Sequence, residues 1–241
     1  MGLLPLWKRR ANVDIGAPIE IASEAGAPTD IARQLSTSTN DRRTTIAGMD
    51  IDQLRVSVAA CRACRLCETR TQTVFGVGVA NPEWLIVGEA PGAEEDARGE
   101  PFVGQAGRLL DNMLAAAGLA RARNVFITNV LKCRPPGNRN PGADEMRECE
   151  PYLRRQIELL APRIVLALGK FAAVSLLGSD ASIASLRGRV HSIAVGARSV
   201  PVVVSYHPAY LLRKPEDKAK AWADLCFARG IVATLPKMQP G

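Results

Sequence analysis

Hydrophobic positions along this chain fall in short blocks separated by amphipathic stretches. Trp84-Leu-Ile-Val-Gly88 is apolar throughout and runs into a Pro/Gly loop, as a strand buried on both faces does. Val125-Phe-Ile-Thr128 and Ile164-Val-Leu-Ala-Leu168 repeat the pattern, and 200–206 gives a fourth strand with Pro201 near its start. Between the blocks the apolar residues return at helical spacing. Leu109, Leu110, Met113, Leu114 and Ala117 share one face of a helix predicted over 106–119, with Gly118 near its stop. Further helices are predicted over 50–60, 143–160, 170–177 and 216–229. All-apolar strands alternating with helices predict an α/β fold built on a parallel sheet covered on both faces.

In such a sheet, ligands bind beyond the carboxyl ends of the strands. Glu89 follows the first strand, Asn129 the second, Gly169-Lys170 the third and His207 the fourth. Four strands therefore aim polar or turn-forming residues at one cleft.

Composition narrows the setting. At 47% hydrophobic residues over 241 positions, a core needs no covalent staples. Residues 1–50 carry six basic and six acidic side chains, so the net charge of +7 belongs entirely to 51–241. A basic folded domain suits a polyanionic partner, although charge alone is a weak pointer. The chain has no run of 18 apolar residues, so no membrane span is expected. The first ten residues put their charge after a short apolar stretch, the wrong order for a secretory signal, and the expected location is cytoplasmic. Residues 11–47 show no sustained apolar period, so 1–47 are expected as a flexible tail with a transient helix near 28–35.

Five of the six cysteines form a pattern: Cys61-x-x-Cys64-x-x-Cys67, then Cys133, then Cys149. In a reducing compartment clustered cysteines indicate metal binding or catalysis rather than disulfides. Both an iron–sulfur site and a four-cysteine zinc site are consistent with the spacing. A ferredoxin-type reading lacks the nearby fourth cysteine before proline. Cys226 is expected in the core of the last helix.

Each side chain of the cleft also has a plain structural reading. Gly88-Glu-Ala-Pro-Gly92 puts a carboxylate on a tight turn, where a glutamate is often merely solvated. Phe102, in a Gly/Pro loop before a helix, can stack on a flat ring or plug the core. Asn129 offers an acceptor and a donor side by side, which matches the N3–H and O4 edge of uracil, or it caps a loop. His207 is held extended by Pro208 and is catalytic or structural. Lys132–Pro141 and Tyr210–Pro215 are basic, and the second adds aliphatic tips. They suit a phosphate backbone and a wedge between bases, or are solvated loops.

Together these residues resemble the family 4 uracil-DNA glycosylases, the iron–sulfur branch of the uracil-DNA glycosylase superfamily. The resemblance covers roughly 51–230. It is carried by Cys61-x-x-Cys64, Val74-Phe-Gly, Gly88-Glu-Ala-Pro-Gly92, Pro101-Phe-Val-Gly104, Asn129-Val-Leu-Lys-Cys133-Arg-Pro-Pro136, Cys149-Glu-Pro-Tyr152, Leu168-Gly-Lys170 and His207-Pro-Ala-Tyr-Leu211. It implies a three-layer αβα sandwich with a four-stranded parallel sheet, and removal of uracil from DNA. It also implies a [4Fe–4S] cluster on Cys61, Cys64, Cys133 and Cys149, with Cys67 an extra cysteine. Residues 48–235 are then the expected catalytic domain and 236–241 a C-terminal tail.

On this reading His207 supports the leaving base and Glu89 positions the water, with Glu95 and Asp96 as lesser candidates near the base. Ala90, Glu95, Phe102 and Asn129 are expected to bind the base. Arg134, Tyr210, Leu211 and Arg213 are expected to bind DNA, single- or double-stranded. The chain is expected to act as a monomer. The rival expectation is a non-catalytic iron–sulfur DNA-binding accessory module, for which the convergence of Glu89, Phe102, Asn129 and His207 has no use.

Overall fold

A computed structural model describes residues 41–236. Nine helices are labelled α1 (41–47), α2 (Ile51–Ala60), α3 (Ala93–Arg98), α4 (Gln105–Ala116), α5 (Ala143–Leu160), α6 (Lys170–Leu177), α7 (Ile183–Leu186), α8 (Pro208–Arg213) and α9 (Lys218–Thr234). The strands are β1 (Val77–Gly78), β2 (Trp84–Gly88), β3 (Val125–Asn129), β4 (Ile164–Leu168), β5 (Val190–Val195) and β6 (Arg198–Ser205).

The sheet runs β1-β3-β2-β4-β6-β5. Its middle four strands are parallel, as the apolar blocks predict, with Trp84 opposite Val125 and Ile164. The four-stranded expectation is corrected at both edges. β1 adds antiparallel to β3, and β5 forms a hairpin on β6. Two residues leave β1 no periodicity to read. β5 alternates exposed and partly covered positions, as an edge strand with one open face does.

Strand period two sorts the core into two layers. Leu85, Val87, Phe126, Val165, Ala167, Val202 and Val204 face α2, α5 and α6. Trp84, Ile86, Val125, Ile127, Leu166 and Val203 face α4 and α9. The αβα sandwich follows directly. α2 begins at a capping box in which Asp50 Oδ1 accepts the amides of Asp52 and Gln53, while Gln53 Oε1 accepts that of Asp50. Such a cap contributes about 1 kcal/mol.

Two expectations change at the margins. The boundary near residue 48 falls inside packed structure, because 41–47 are helical and Ile46 is 2% exposed. Cys226 is exposed on α9, where Leu225 and Ala228 supply the buried face. The helix expected near 28–35 lies outside the described residues. Among the described residues no helix is long and apolar enough to cross a membrane.

Candidate active site and cysteine centre

The carboxyl ends of β2, β3, β4 and β6 open onto one cleft of about 770 Å³. Glu89, Ala90, Glu95, Phe102, Asn129, Tyr210, Arg213 and His207 all line it, so most of the expected site converges. Arg134 and Leu211 do not line it. Arg134 Nε instead donates to Asn138 Oδ1 at 2.8 Å on an exposed loop. Leu211 is fully buried, because α8 turns Pro208 and Leu211 inward at i, i+3 spacing and leaves Leu212 43% exposed.

Asn129 is 2% exposed, yet its Oδ1 meets no hydrogen-bond partner. An acceptor buried without a partner costs about 1–3 kcal/mol, which a ligand N–H aimed at it recovers. The opening above it depends on Gly88. A Cβ there would sit 2.4 Å from Asn129 Oδ1 and 2.5 Å from the Phe102 ring. The missing side chain at Gly88 is what lets amide and ring approach one another.

Phe102 holds a left-handed backbone, φ 55°, which costs a non-glycine residue about 1–2 kcal/mol. Gly107 in the first turn of α4 gives it room, since a Cβ there would lie 1.8 Å from the Phe102 carbonyl oxygen. The Phe102 ring lies 5.4 Å from that of His207, tilted by 31°.

His207 caps α8, its Nδ1 accepting the Ala209 amide at 3.2 Å. That bond leaves the ring proton on Nε2. Burial, helped by the charge of Arg213 and opposed by Glu95, brings the His207 pKa down to about 4. The imidazole is therefore a neutral Nε2–H donor at physiological pH.

The three loop carboxylates separate by environment. Glu95 Oε1 accepts the amides of Val103 and Gly104 at 2.9 and 3.0 Å, and Oε2 accepts that of Gly92 at 3.1 Å. Its oxygens fold the loop while the side chain still lines the cleft. Asp96 is buried and receives the Thr71 amide on both oxygens. Glu89 faces the cleft, and burial alone raises its pKa.

Lys170, expected at the cleft from its place after the third strand, and Asn138 to Asn140 of the basic segment also line it, whereas Phe171 at the start of α6 and Tyr206 after β6 were not singled out by sequence. Tyr206 stacks on Tyr210 at 4.9 Å, and Arg187 covers it at 4.5 Å. Arg187 is fixed in turn by Asp224, which also accepts from Ser205 at the end of β6.

A second, much smaller cavity lies among the cysteines. Cys61, Cys64, Cys67, Cys133 and Cys149 all line it, with Arg70, Lys132 and Tyr152. Burial pushes the Cys149 thiol up to about 12 and raises Cys64 and Cys133. Thiolates so placed need a positive centre, and cations do surround them. Arg70 Nη1 donates to Cys133 Sγ at 3.0 Å, and Arg42 Nη2 lies 3.8 Å from Cys61 Sγ. Among the described residues no three His, Cys, Asp or Glu side chains converge as one ion requires. The five cysteine sulfurs thus share the lining of one small cavity without forming a single-ion site.

Lys132 stands between the two sites rather than on the expected basic rim. It is 1% exposed, and its Nζ donates to Asn129 O, Thr128 Oγ1 and Gln156 Oε1 at 2.7, 2.7 and 2.6 Å. Burial lowers its pKa to about 7, against the nearby Cys149 and Cys133, which raise it.

Comparison with known proteins places this geometry. A family model described as the Uracil DNA glycosylase superfamily matches residues 75–226. A Type-4 uracil-DNA glycosylase of Archaeoglobus fulgidus is 44% identical over 178 residues, covering 72% of this chain and 89% of the relative. That of Pyrobaculum aerophilum is 41% identical over 186 residues, covering 76% and 94%. That of Sulfurisphaera tokodaii is 42% identical over 170 residues, covering 68% and 77%. With the matched model spanning the cleft and both later cysteines, the chain belongs to the uracil DNA glycosylase superfamily.

Proposed function

We propose that this chain hydrolyses the N-glycosidic bond of deoxyuridine in DNA, releasing uracil and leaving an abasic site for base excision repair. The observation that carries the reading is the orphaned Asn129 Oδ1, buried at the floor of a cleft between Phe102 and His207. Uracil N3–H satisfies that oxygen, and the amide NH₂ donates to O4. Cytosine presents the reverse pattern and is rejected at a cost of unpaired groups.

A base inside a duplex must leave the stack to reach this depth. Within the 210–215 segment expected to wedge between bases, Leu212, the exposed aliphatic of α8, takes that role, since Leu211, expected to bind DNA, is buried. Arg213, Lys170 and Tyr210 line the side of the cleft suited to the sugar–phosphate backbone. Ala90 lies beside the base and Phe102 stacks on it. As the C1′–N1 bond breaks, its electron pair passes to the base and negative charge grows at O2. The neutral Nε2–H of His207 hydrogen-bonds that oxygen, stabilising the transition state more than the ground state. Glu89 positions the water that adds to C1′ and offsets the cationic sugar.

Cys61, Cys64, Cys133 and Cys149 would hold a [4Fe–4S] cluster, with Cys67 beside it. Such a cluster supplies a cross-link joining the 61–67 segment, the loop after β3 and α5. All these groups come from one chain, so a cytoplasmic monomer suffices.

The test is incubation with an oligonucleotide carrying one deoxyuridine, followed by alkali. Cleavage at that site alone, lost in Asn129→Ala and His207→Ala, is the expected result. Binding without cleavage by the iron-loaded chain would overturn the reading in favour of an accessory module.

A further inference from the structure

We propose that Arg121, outside the cleft in the turn after α4, is a positioning residue that sets Phe102 against the base. This rests on the reading that Phe102 stacks on uracil. Phe102 sits in a left-handed conformation that its side chain disfavours, so something must hold the two peptide planes on either side of its Cα. One guanidinium does this. Arg121 Nη1 donates to Pro101 O at 2.7 Å and Nη2 to Phe102 O at 2.6 Å. Those oxygens belong to the peptide before Phe102 and the peptide after it. Gripping both fixes φ and ψ together.

The second plane is also held from its other side, where the Val103 amide donates to Glu95 Oε1. The guanidinium is aimed by Asp111 of α4, which accepts from Nε at 2.7 Å. A planar fork is needed to reach two adjacent carbonyls, and an ammonium point charge does not supply one. Arg121 reaches neither substrate nor cleft. Its effect passes through Phe102 to the ring that faces Asn129 and His207.

The experiment compares Arg121→Met, Arg121→Lys, Phe102→Ala and the Arg121→Met/Phe102→Ala double variant by single-turnover uracil release, DNA affinity, inhibition by free uracil, and Tm. The Arg121 variants should slow release by roughly 10–100-fold, the scale of a small misplacement in an oriented site. Uracil inhibition should weaken in parallel, while DNA affinity stays within about twofold. The double variant should be no slower than Phe102→Ala. Asp111→Asn, which leaves Arg121 in place, should give a smaller loss and serves if Arg121→Met fails to fold.

Multiplying effects in the double variant, DNA affinity falling as far as rate, or wild-type rates in both Arg121→Met and Asp111→Asn would each overturn the proposal. An active wild type with an unimpaired Phe102→Ala would refute the base-stacking reading itself. An impaired Phe102→Ala with an unimpaired Arg121→Met would refute the Arg121 role alone.

Discussion

The cleft and the cysteine cavity are linked by Lys132, which lines the cavity and donates to the Asn129 carbonyl, and they differ in how key polar groups are partnered. In the cleft, Asn129 Oδ1 has no partner and burial alone shifts Glu89. Around the cysteines the polar groups are engaged: Arg70 meets Cys133, Arg42 approaches Cys61, and the Lys132 ammonium fills three acceptors. Groups left unmatched wait for a visiting ligand. Groups bracketed on several sides suit a resident one, the proposed cluster. The contrast separates chemistry from architecture within a few residues of chain, since Asn129 and Cys133 are only four apart.

The comparison breaks most visibly at the resident site. Cys149→Ser should lose bound iron and lower Tm by at least ~10 °C, because structural metal sites supply of the order of 10 kcal/mol and 1 kcal/mol moves Tm by about 2–4 °C at this size. Unchanged iron content and Tm would remove Cys149 from the ligand set, with Cys67 the next candidate. In the cleft, His207→Ala should cost about 10²–10³ in single-turnover rate with DNA affinity intact. Gly88→Ala should cost on the order of 10² by filling the space between Asn129 and Phe102, the scale of a misplaced reacting group. A Tm loss matching that of Cys149→Ser in either variant would erase the distinction.

The pH profile comes next. Burial raises the Glu89 pKa, so its carboxylate is protonated at a higher pH than an ordinary glutamate as the solution is acidified. Activity should fall with decreasing pH on that limb, by about tenfold per pH unit below the midpoint. Glu89→Gln should flatten the limb. His207, held at about 4, should contribute nothing between pH 5 and 8. The smallest rate effect belongs to the wedge. Leu212→Ala should slow release from duplex by about 5–10-fold and from single strands less, since only the duplex requires unstacking. Leu211→Ala should instead cost about 2–5 kcal/mol of stability, as a buried leucine does.

That pair of leucines marks the limit of what the chain reveals in one dimension. The four central strands were legible as apolar blocks, and the helix 143–160 because its apolar residues recur at helical spacing over 18 residues. Their ends then delivered Glu89, Asn129 and His207 to one place. A six-residue helix gives no such period, so the phase of α8 decided which leucine faced outward only once it was folded. β5 was hidden because an edge strand keeps half its residues polar. Lys132 read as surface charge, since nothing local announces that Thr128, Gln156 and a carbonyl will gather around its ammonium. The sequence ranked Glu89 ahead of Glu95, but only the fold shows the three amides that engage Glu95.

Those three amides have a consequence for how a nucleic acid strand lies in the cleft. Bunched backbone N–H groups in a loop form a nest that ordinarily attracts phosphate. Here the nest is already filled by the chain's own anion, Glu95, and that wall carries a fixed negative charge. A phosphodiester would be repelled from it, whereas Lys170 and Arg213, which also line the cleft, would attract one. The cleft thus presents a strand with a carboxylate to avoid and cations to seek, and that pairing would orient it.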